Sequence, residues 1–119
     1  MDFGDCPCTG KWLGRLLQPA VMAVLAEAPL HGYRIAQRLE EMAMFRDQPP
    51  DHGGIYRLLK AMQDEGFVSS TWDLSESGPA KRRYELTAEG RACLARWVRT
   101  LEGYAQAVVG ILDLAKTAA

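Results

Sequence analysis

The chain has 119 residues, enough for one domain, and its hydrophobic fraction of 48% is enough for a core and excludes a disordered protein. Its formal net charge of −1 gives no sign of a nucleic-acid binder, although DNA contacts a local patch of charge rather than the total. Three cysteines without an export signal argue against a disulfide framework, and no apolar run reaches the roughly 18 residues of a membrane span. We therefore expect a cytoplasmic protein.

Residues 1–10 lack helical periodicity and are predicted to form a flexible tail that carries Cys6 and Cys8. Two thiols one residue apart could share a soft metal or iron, ligate haem or sense oxidation. The spacing of the remaining cysteine and histidines does not match a zinc finger. We predict no cofactor and no metal, and a metal- or redox-responsive regulator that uses Cys6 and Cys8 is the alternative.

Two helices are predicted to open a domain that spans residues 11–87. The first is apolar nearly all round and therefore buried, and Pro19 either kinks it or lies in the first turn of a new helix. The second begins at His31-Gly32-Tyr33, where we expect His31 to cap or pack against the helix start. Its predicted buried side includes Tyr33, Ala36 and Leu39.

The third predicted helix carries the most informative pattern in the chain. Asp51 is a candidate N-cap, and Gly66 is the residue expected to end the helix. The apolar positions follow the i, i+3, i+4, i+7 spacing of an amphipathic helix: Ile55, Leu58, Leu59 and Met62. Residues on the other side are suited to contact DNA bases or phosphates: Tyr56, Arg57 and Lys60. Gly54 would let the backbone approach DNA closely at an N-terminus that favours anions.

Two alternatives remain for this helix face. Arg57 and Lys60 could belong to an ordinary solvated surface, and Tyr56 could be a partly buried aromatic. The acidic residues are expected to lie mostly apart from the predicted DNA-binding face: Glu40, Glu41, Asp47, Asp51, Asp64 and Glu65.

A β-hairpin is predicted after the third helix. Polar and apolar residues alternate over residues 68–74 and again over 81–86, and a turn composition separates them. Lys81, Arg82 and Arg83 place three positive charges on this hairpin, suited to a minor groove or its flanking phosphates. Arg82 shares a face with Tyr84 and is expected to lean inward, and simple solvated charge is the alternative for all three.

Residues 88–119 are predicted to form one long helix, capped by Thr87 and with Glu89 in its first turn. Apolar residues recur along it at alternating spacings of three and four, which is typical of a coiled-coil-like dimerisation seam: Leu94, Trp97, Leu101, Tyr104, Val108 and Ile111. A helix of this length extends beyond what the small preceding domain can cover. We therefore expect the seam to contact a second copy of the chain, with Trp97 in the dimer core.

The predicted fold is mainly α with a small β-hairpin: a winged helix-turn-helix followed by a dimerisation helix. On this order and on its motifs, the chain resembles the short form of the PadR family of bacterial transcriptional regulators. The matching segments are His31-Gly32-Tyr33-Arg34-Ile35, Gly54-Ile55-Tyr56-Arg57-Leu58-Leu59-Lys60, Glu65-Gly66-Phe67-Val68 and residues 78–90.

The resemblance implies a dimeric repressor that binds a palindromic operator in double-stranded DNA. It also implies a second role for Trp97, which with Tyr104 could line a pocket between subunits for a small-molecule effector, as in family members that bind planar drugs. No enzyme motif is present, so we predict no catalytic residues. The predicted function is sequence-specific DNA binding by a repressor that an unknown signal releases. A winged-helix module that binds a protein partner instead of DNA is the alternative from another class.

Overall fold

The computed structural model describes residues 15–74, 78 and 80–119. The predicted tail with Cys6 and Cys8, the start of the predicted first helix and most of the hairpin turn lie outside these residues. Within the described part, the elements follow the order α1 (Leu17–Glu27), β1 (Leu30–His31), α2 (Gly32–Glu40), a 3-10 turn (Ala43–Phe45), α3 (His52–Asp64), β2 (Val68–Asp73), β3 (Lys81–Leu86) and α4 (Ala88–Ala118). None of the helices described is long and apolar enough to cross a membrane.

Helix α1 forms the centre of the core. Pro19 lies in its first turn, where a missing N–H costs no hydrogen bond, so the second of the two expectations for Pro19 is confirmed. The helix is buried along most of its length, as its uniform apolarity predicted: Pro19, Ala20, Val21, Met22, Val24 and Leu25.

The sheet has three strands rather than the predicted two, in the order β1-β3-β2. Leu30 pairs with Tyr84 and His31 with Arg83 in antiparallel register, and β2 pairs with β3 along its whole length. A strand of two residues is too short to show alternation in the sequence, so only its pairing with β3 reveals it.

Helix α2 buries a different face from the one predicted. Gly32, Ile35, Ala36 and Leu39 are buried, whereas Tyr33 is 44% exposed, so the assignment of Tyr33 to the buried side is wrong. The buried set follows the i, i+3, i+4, i+7 spacing from Gly32, one position before the predicted set. Glycine gives no hydrophobic signal, which is why the sequence pattern placed the start of the stripe at Tyr33.

Helix α3 begins and ends as predicted. The Oδ2 atom of Asp51 accepts a hydrogen bond from the N–H of Gly54 at 3.2 Å, which confirms the N-cap. Gly66 has φ of +84°, and its N–H donates to Gln63 while the N–H of Phe67 donates to Met62, at 3.0 and 2.8 Å. This pair of bonds is the Schellman arrangement, in which a left-handed glycine ends the helix and redirects the chain into β2.

Helix α4 begins at a tight junction with the α3–β2 corner. The Thr87 hydroxyl donates to the Gly66 carbonyl at 2.6 Å and accepts from the N–H of Gly90 at 3.0 Å, which confirms the predicted cap. The N–H of Thr87 donates to the Phe67 carbonyl at 3.1 Å. A Cβ at Gly90 would lie 2.0 Å from that same Phe67 oxygen, so only glycine fits at this position of α4.

Beyond its first turns, α4 projects from the domain. Gly90 and Cys93 are buried and Leu94 and Trp97 pack at the edge of the core, but most residues after Leu101 are exposed. The molecule measures 61 × 32 × 22 Å, and its radius of gyration of 17.0 Å exceeds the value of about 13.5 Å typical of a compact chain of this length. The projecting part of the helix is therefore not covered by any other described residue of the chain.

We predict that Gly90→Ala destabilises the protein by about 3 kcal/mol, because the new methyl group would overlap a backbone oxygen that cannot move without distorting the α3–β2 corner. Gly103→Ala is the matched control, because a Cβ there meets nothing within 4 Å and should stabilise the exposed helix by about 1 kcal/mol. Urea denaturation at one fixed protein concentration measures both. Equal midpoints for Gly90→Ala and the parent would contradict the prediction.

Candidate nucleic-acid interface

The predicted DNA-binding residues of α3 lie on its exposed face. Ile55, Leu59 and Met62 are buried on the opposite side, and Leu58 is half-buried beside them. The side chains of Arg57 and Lys60 are 77% and 80% exposed. The amphipathic pattern therefore placed the buried and exposed sides of α3 correctly.

Each of these two cations has an acidic neighbour. Arg57 Nη2 lies 3.6 Å from Asp51 Oδ2, and Lys60 Nζ lies 3.6 Å from Asp64 Oδ2. The expectation that the acidic residues lie apart from this face is therefore wrong for Asp51 and Asp64. Asp51 is near because it caps the same helix, and Asp64 because residues four apart share a helix face. Ion pairs as long and as exposed as these contribute only about 0–1 kcal/mol, so either cation is available to another anion.

Tyr56 is positioned by the start of α2. A Cβ built on Gly32 would lie 2.5 Å from Tyr56 Cε1 and 2.7 Å from its hydroxyl oxygen, so the phenol rests directly on the glycine. The ring is nevertheless 46% exposed. Part of the ring thus packs, as the partly buried alternative for Tyr56 predicted, and the rest faces solvent.

Gly54 does not provide the free N–H for an anion that its position at the start of α3 suggested. Its N–H already donates to Asp51, so this amide is not a free donor for an anion. A Cβ at Gly54 would lie 3.8 Å from the Arg57 guanidinium, and a Cβ at Gly53 would lie 3.2 Å from the same group. The absence of side chains at these glycines leaves room for Arg57 over the helix start.

The hairpin carries its three cations on exposed positions. Within the described residues, Lys81, Arg82 and Arg83 form no ion pair with an acidic side chain. The Arg82 guanidinium lies 5.0 Å from the ring of Trp72, its partner in the strand register, at a distance typical of a cation–π contact. Arg82 thus shares the face of Tyr84 as predicted, but it lies beyond the edge of the core and stays exposed.

Helix α3 and the cationic hairpin both contact the start of α2. Tyr56 lies against Gly32, and the Nζ atom of Lys81 lies 5.0 Å from the ring centroid of Tyr33, the next residue. Adjacent residues of one helix therefore contact both elements, which places the exposed side of α3 and the cationic hairpin on a common side of the domain.

His31 makes a long-range contact that the sequence pattern did not predict. It occupies the N-cap position of α2, but its side chain makes no capping hydrogen bond, so of the two expectations for His31 capping is wrong and packing at the helix start is confirmed. Its Nε2–H instead donates to Asp73 Oδ2 of β2 at 2.9 Å, and its ring stacks on Tyr33 with centroids 5.9 Å apart. Because His31 and Asp73 are 42 residues apart, no local pattern could have paired them.

A separate ion-pair group joins α1 to α2. Arg38 donates to Glu27 of α1 and to Glu41, and these hydrogen bonds, with that to Glu27 contributing most, raise the pKa of the guanidinium above its ordinary value. The Arg38 guanidinium keeps its positive charge, and this charge faces two carboxylates rather than an open surface. Arg38 therefore contributes to the scaffold rather than to the candidate interface.

The predicted dimerisation residues divide into two groups along α4. Leu94 and Trp97 pack against the core of their own chain, and Trp97 lines a shallow hollow of about 150 Å³ with Cys93, Arg96 and Thr100. Leu101 is half-buried, whereas Tyr104, Val108 and Ile111 are exposed, with Ile111 at 68%. At 3.6 residues per turn, all of these side chains lie on one side of the helix. The described residues contain no group of three or more metal-ligating side chains, and Cys6 and Cys8 lie outside them.

Comparison with known proteins supports the resemblance found in the motifs. Residues 21–96 match the model of the transcriptional regulator PadR-like family. A probable transcriptional regulator of Mycobacterium tuberculosis is 33% identical over 82 residues, which cover 69% of this chain and 43% of the relative. The negative transcriptional regulator PadR of Bacillus subtilis is 32% identical over 85 residues, or 71% of this chain and 46% of the relative. The chain thus spans a little under half the length of these curated relatives.

Solved structures agree with the winged-helix fold. A PadR-like transcriptional regulator from Bacillus cereus superposes with a TM-score of 0.74 at 22% identity and covers 86% of this chain and 96% of its own. Bacillus subtilis PadR in complex with operator DNA superposes with a TM-score of 0.63 at 30% identity, covering 71% of this chain and 47% of its own. The family match spans more than half of the chain and contains α2, α3 and the hairpin, so the chain belongs to the PadR-like family of transcriptional regulators.

Proposed function

We propose that this chain is a homodimeric repressor that binds a palindromic operator in double-stranded DNA and is released by a signal acting on α4. The observation that carries the proposal is the common position of two exposed cationic elements, α3 and the hairpin, at the start of α2. The Bacillus subtilis relative solved with operator DNA, and the description of PadR from that organism as a negative regulator, support DNA as the ligand and repression as the outcome.

In the proposed complex, α3 enters the major groove. Arg57 and Lys60 reach guanine edges or phosphates once they leave Asp51 and Asp64, and the Tyr56 hydroxyl donates to a phosphate. Gly54 permits close approach of the helix start. The hairpin then places Lys81 and Arg83 on flanking phosphates or in the minor groove, and Arg82 extends this charge from its position over Trp72.

The second half of the proposal is dimerisation through the projecting part of α4. Tyr104, Val108 and Ile111 continue the side that Leu94 and Trp97 bury against their own core, so a second copy is the simplest partner for that apolar surface. Two copies would place their recognition helices about 34 Å apart, one turn of DNA. An effector seated between Trp97 and Tyr104 of the two subunits would shift α4 and thereby change this separation.

We predict that Arg57→Ala and Lys60→Ala each weaken operator binding by about tenfold, because each removes a base or phosphate contact. Lys81→Ala and Arg83→Ala should lower the slope of log K against log salt by about one unit per lost phosphate contact. Fluorescence anisotropy over a salt series measures both quantities, with a labelled duplex taken from the DNA upstream of this protein's own gene.

Lys116→Ala is the control for these variants, because it removes an equal charge in the last turn of α4, far from the candidate interface along the chain. It should leave both the affinity and the salt slope unchanged. A parent protein that forms dimers but shows no salt-dependent binding to this duplex would contradict DNA binding and would favour the protein-interaction alternative.

We predict that the parent has twice the chain mass of 13.2 kDa and that Ile111→Lys converts it to a monomer, because a charge would be buried in the proposed apolar interface. Gln106→Lys adds the same charge to the opposite, exposed side of α4 and should remain a dimer. Light scattering at micromolar concentration separates these outcomes. A monomeric parent would contradict dimerisation through the apolar side of α4.

A further inference from the structure

We propose that His31-Gly32-Tyr33 is a positioning hub that holds the Tyr56 phenol and the cationic hairpin in one fixed arrangement for DNA. The inference rests on the proposed DNA-binding function and assigns these three residues a role within it. Each of the three contacts a different element: His31 contacts β2, Gly32 contacts α3 and Tyr33 contacts β3. None of the three needs to touch DNA in order to act.

The contact to α3 depends on the absence of a side chain at Gly32. The Tyr56 phenol occupies the space that a Cβ at Gly32 would fill, with two ring carbons and the hydroxyl oxygen at 2.5 to 2.9 Å from that position. Gly32 is the first residue of α2 and its backbone does not require positive φ, so conformational freedom does not explain a glycine here. The lack of a side chain at Gly32 instead leaves the space in which the phenol packs, and this packing sets the direction of the Tyr56 hydroxyl.

The contacts to the hairpin run across the outer face of the sheet. His31 faces Arg83 in the β1–β3 register, and its hydrogen bond to Asp73 passes over β3 to the far strand. Asp73 in turn lies opposite Lys81 in the β2–β3 register, and the Lys81 ammonium group lies over the Tyr33 ring. The His31–Asp73 hydrogen bond and the Lys81–Tyr33 contact thus link the tip-side ends of β2 and β3 to the start of α2.

The position of this hub explains why three consecutive residues reach three elements. His31 ends β1 and Gly32 begins α2, so the chain turns here from a sheet edge into a helix. The side chain of His31 therefore follows the sheet face, while Gly32 and Tyr33 follow the helix. A hub of this kind couples the recognition helix to the hairpin through short side-chain contacts rather than through the core.

A double-mutant cycle between Gly32 and Tyr56 tests the first contact. Gly32→Ala should weaken binding of the upstream duplex by about fivefold, because it displaces the phenol. In the Tyr56→Ala background, where the ring is gone, the same change should alter the affinity by less than about twofold. Gly103→Ala, a glycine-to-alanine change with nothing within 4 Å, is the matched control and should leave the affinity unchanged.

Other results of this cycle would contradict the contact between Gly32 and Tyr56. Equal effects of Gly32→Ala in both backgrounds, or no effect in the parent background, would show that Gly32 does not act through Tyr56. Should Gly32→Ala lower the melting temperature, Tyr56→Ala must restore it, and failure of that rescue would count against the contact. A parent with no salt-dependent DNA binding would refute the proposed function itself, a result separate from either outcome above.

Hydrogen–deuterium exchange in the free protein tests the His31–Asp73 contact without DNA. His31→Ala should speed exchange of the β2 and β3 amides near Asp73 and Lys81 by about fivefold, and the change should disappear in an Asp73→Ala background. Asp73→Asn keeps a hydrogen-bond acceptor and should retain the slow exchange. His52→Ala, whose ring lies 3.7 Å from Glu40 outside the hub, is the control. Unchanged exchange in His31→Ala would overturn this part of the hub.

Discussion

The contact of Gly90 with the Phe67 carbonyl is the constraint on which the arrangement of the elements depends. At this point α3 has just ended, β2 is about to begin and α4 starts, and no side chain fits between them. The hydrogen bonds of Thr87 to Gly66 and Phe67 lie on the same few atoms. A helix of 31 residues is therefore attached to α3 by a junction with no free space, and it cannot tilt without moving the corner that ends α3.

This junction and the start of α2 hold α3 at its two ends. Near its N-terminus the Tyr56 ring rests on Gly32, and at its C-terminus the left-handed Gly66 leads directly into the Thr87 contacts. A helix held at both ends keeps its angle to the rest of the domain. For the proposed function this matters because base-edge hydrogen bonds require donor positions within a few tenths of an ångström.

Features set by neighbouring residues could be predicted from the sequence, and features set by distant residues could not. The caps Asp51 and Thr87, the stop at Gly66 and the two sides of α3 depend on residues within a few positions, and the structure confirms them. The strand β1, the His31–Asp73 hydrogen bond and the need for glycine at position 90 arise from segments brought together by folding. The seam on α4 lies between these cases, because its periodicity is local but the use of Leu94 and Trp97 by their own core is not.

The acidic partners of Arg57 and Lys60 reconcile a net charge of −1 with the proposed DNA-binding surface. In the free protein both cations of α3 face carboxylates at 3.6 Å, whereas the hairpin cations have no acidic partner among the described residues. Phosphates anywhere on DNA can attract the hairpin, because that attraction carries no sequence information. A contact by Arg57 or Lys60 must first replace an existing ion pair, and a bidentate contact to a guanine does so more fully than a single distant phosphate. In the proposed complex the acids would therefore weaken non-specific contacts of α3 more than specific ones, and they would favour the operator even though they lower the total attraction to DNA.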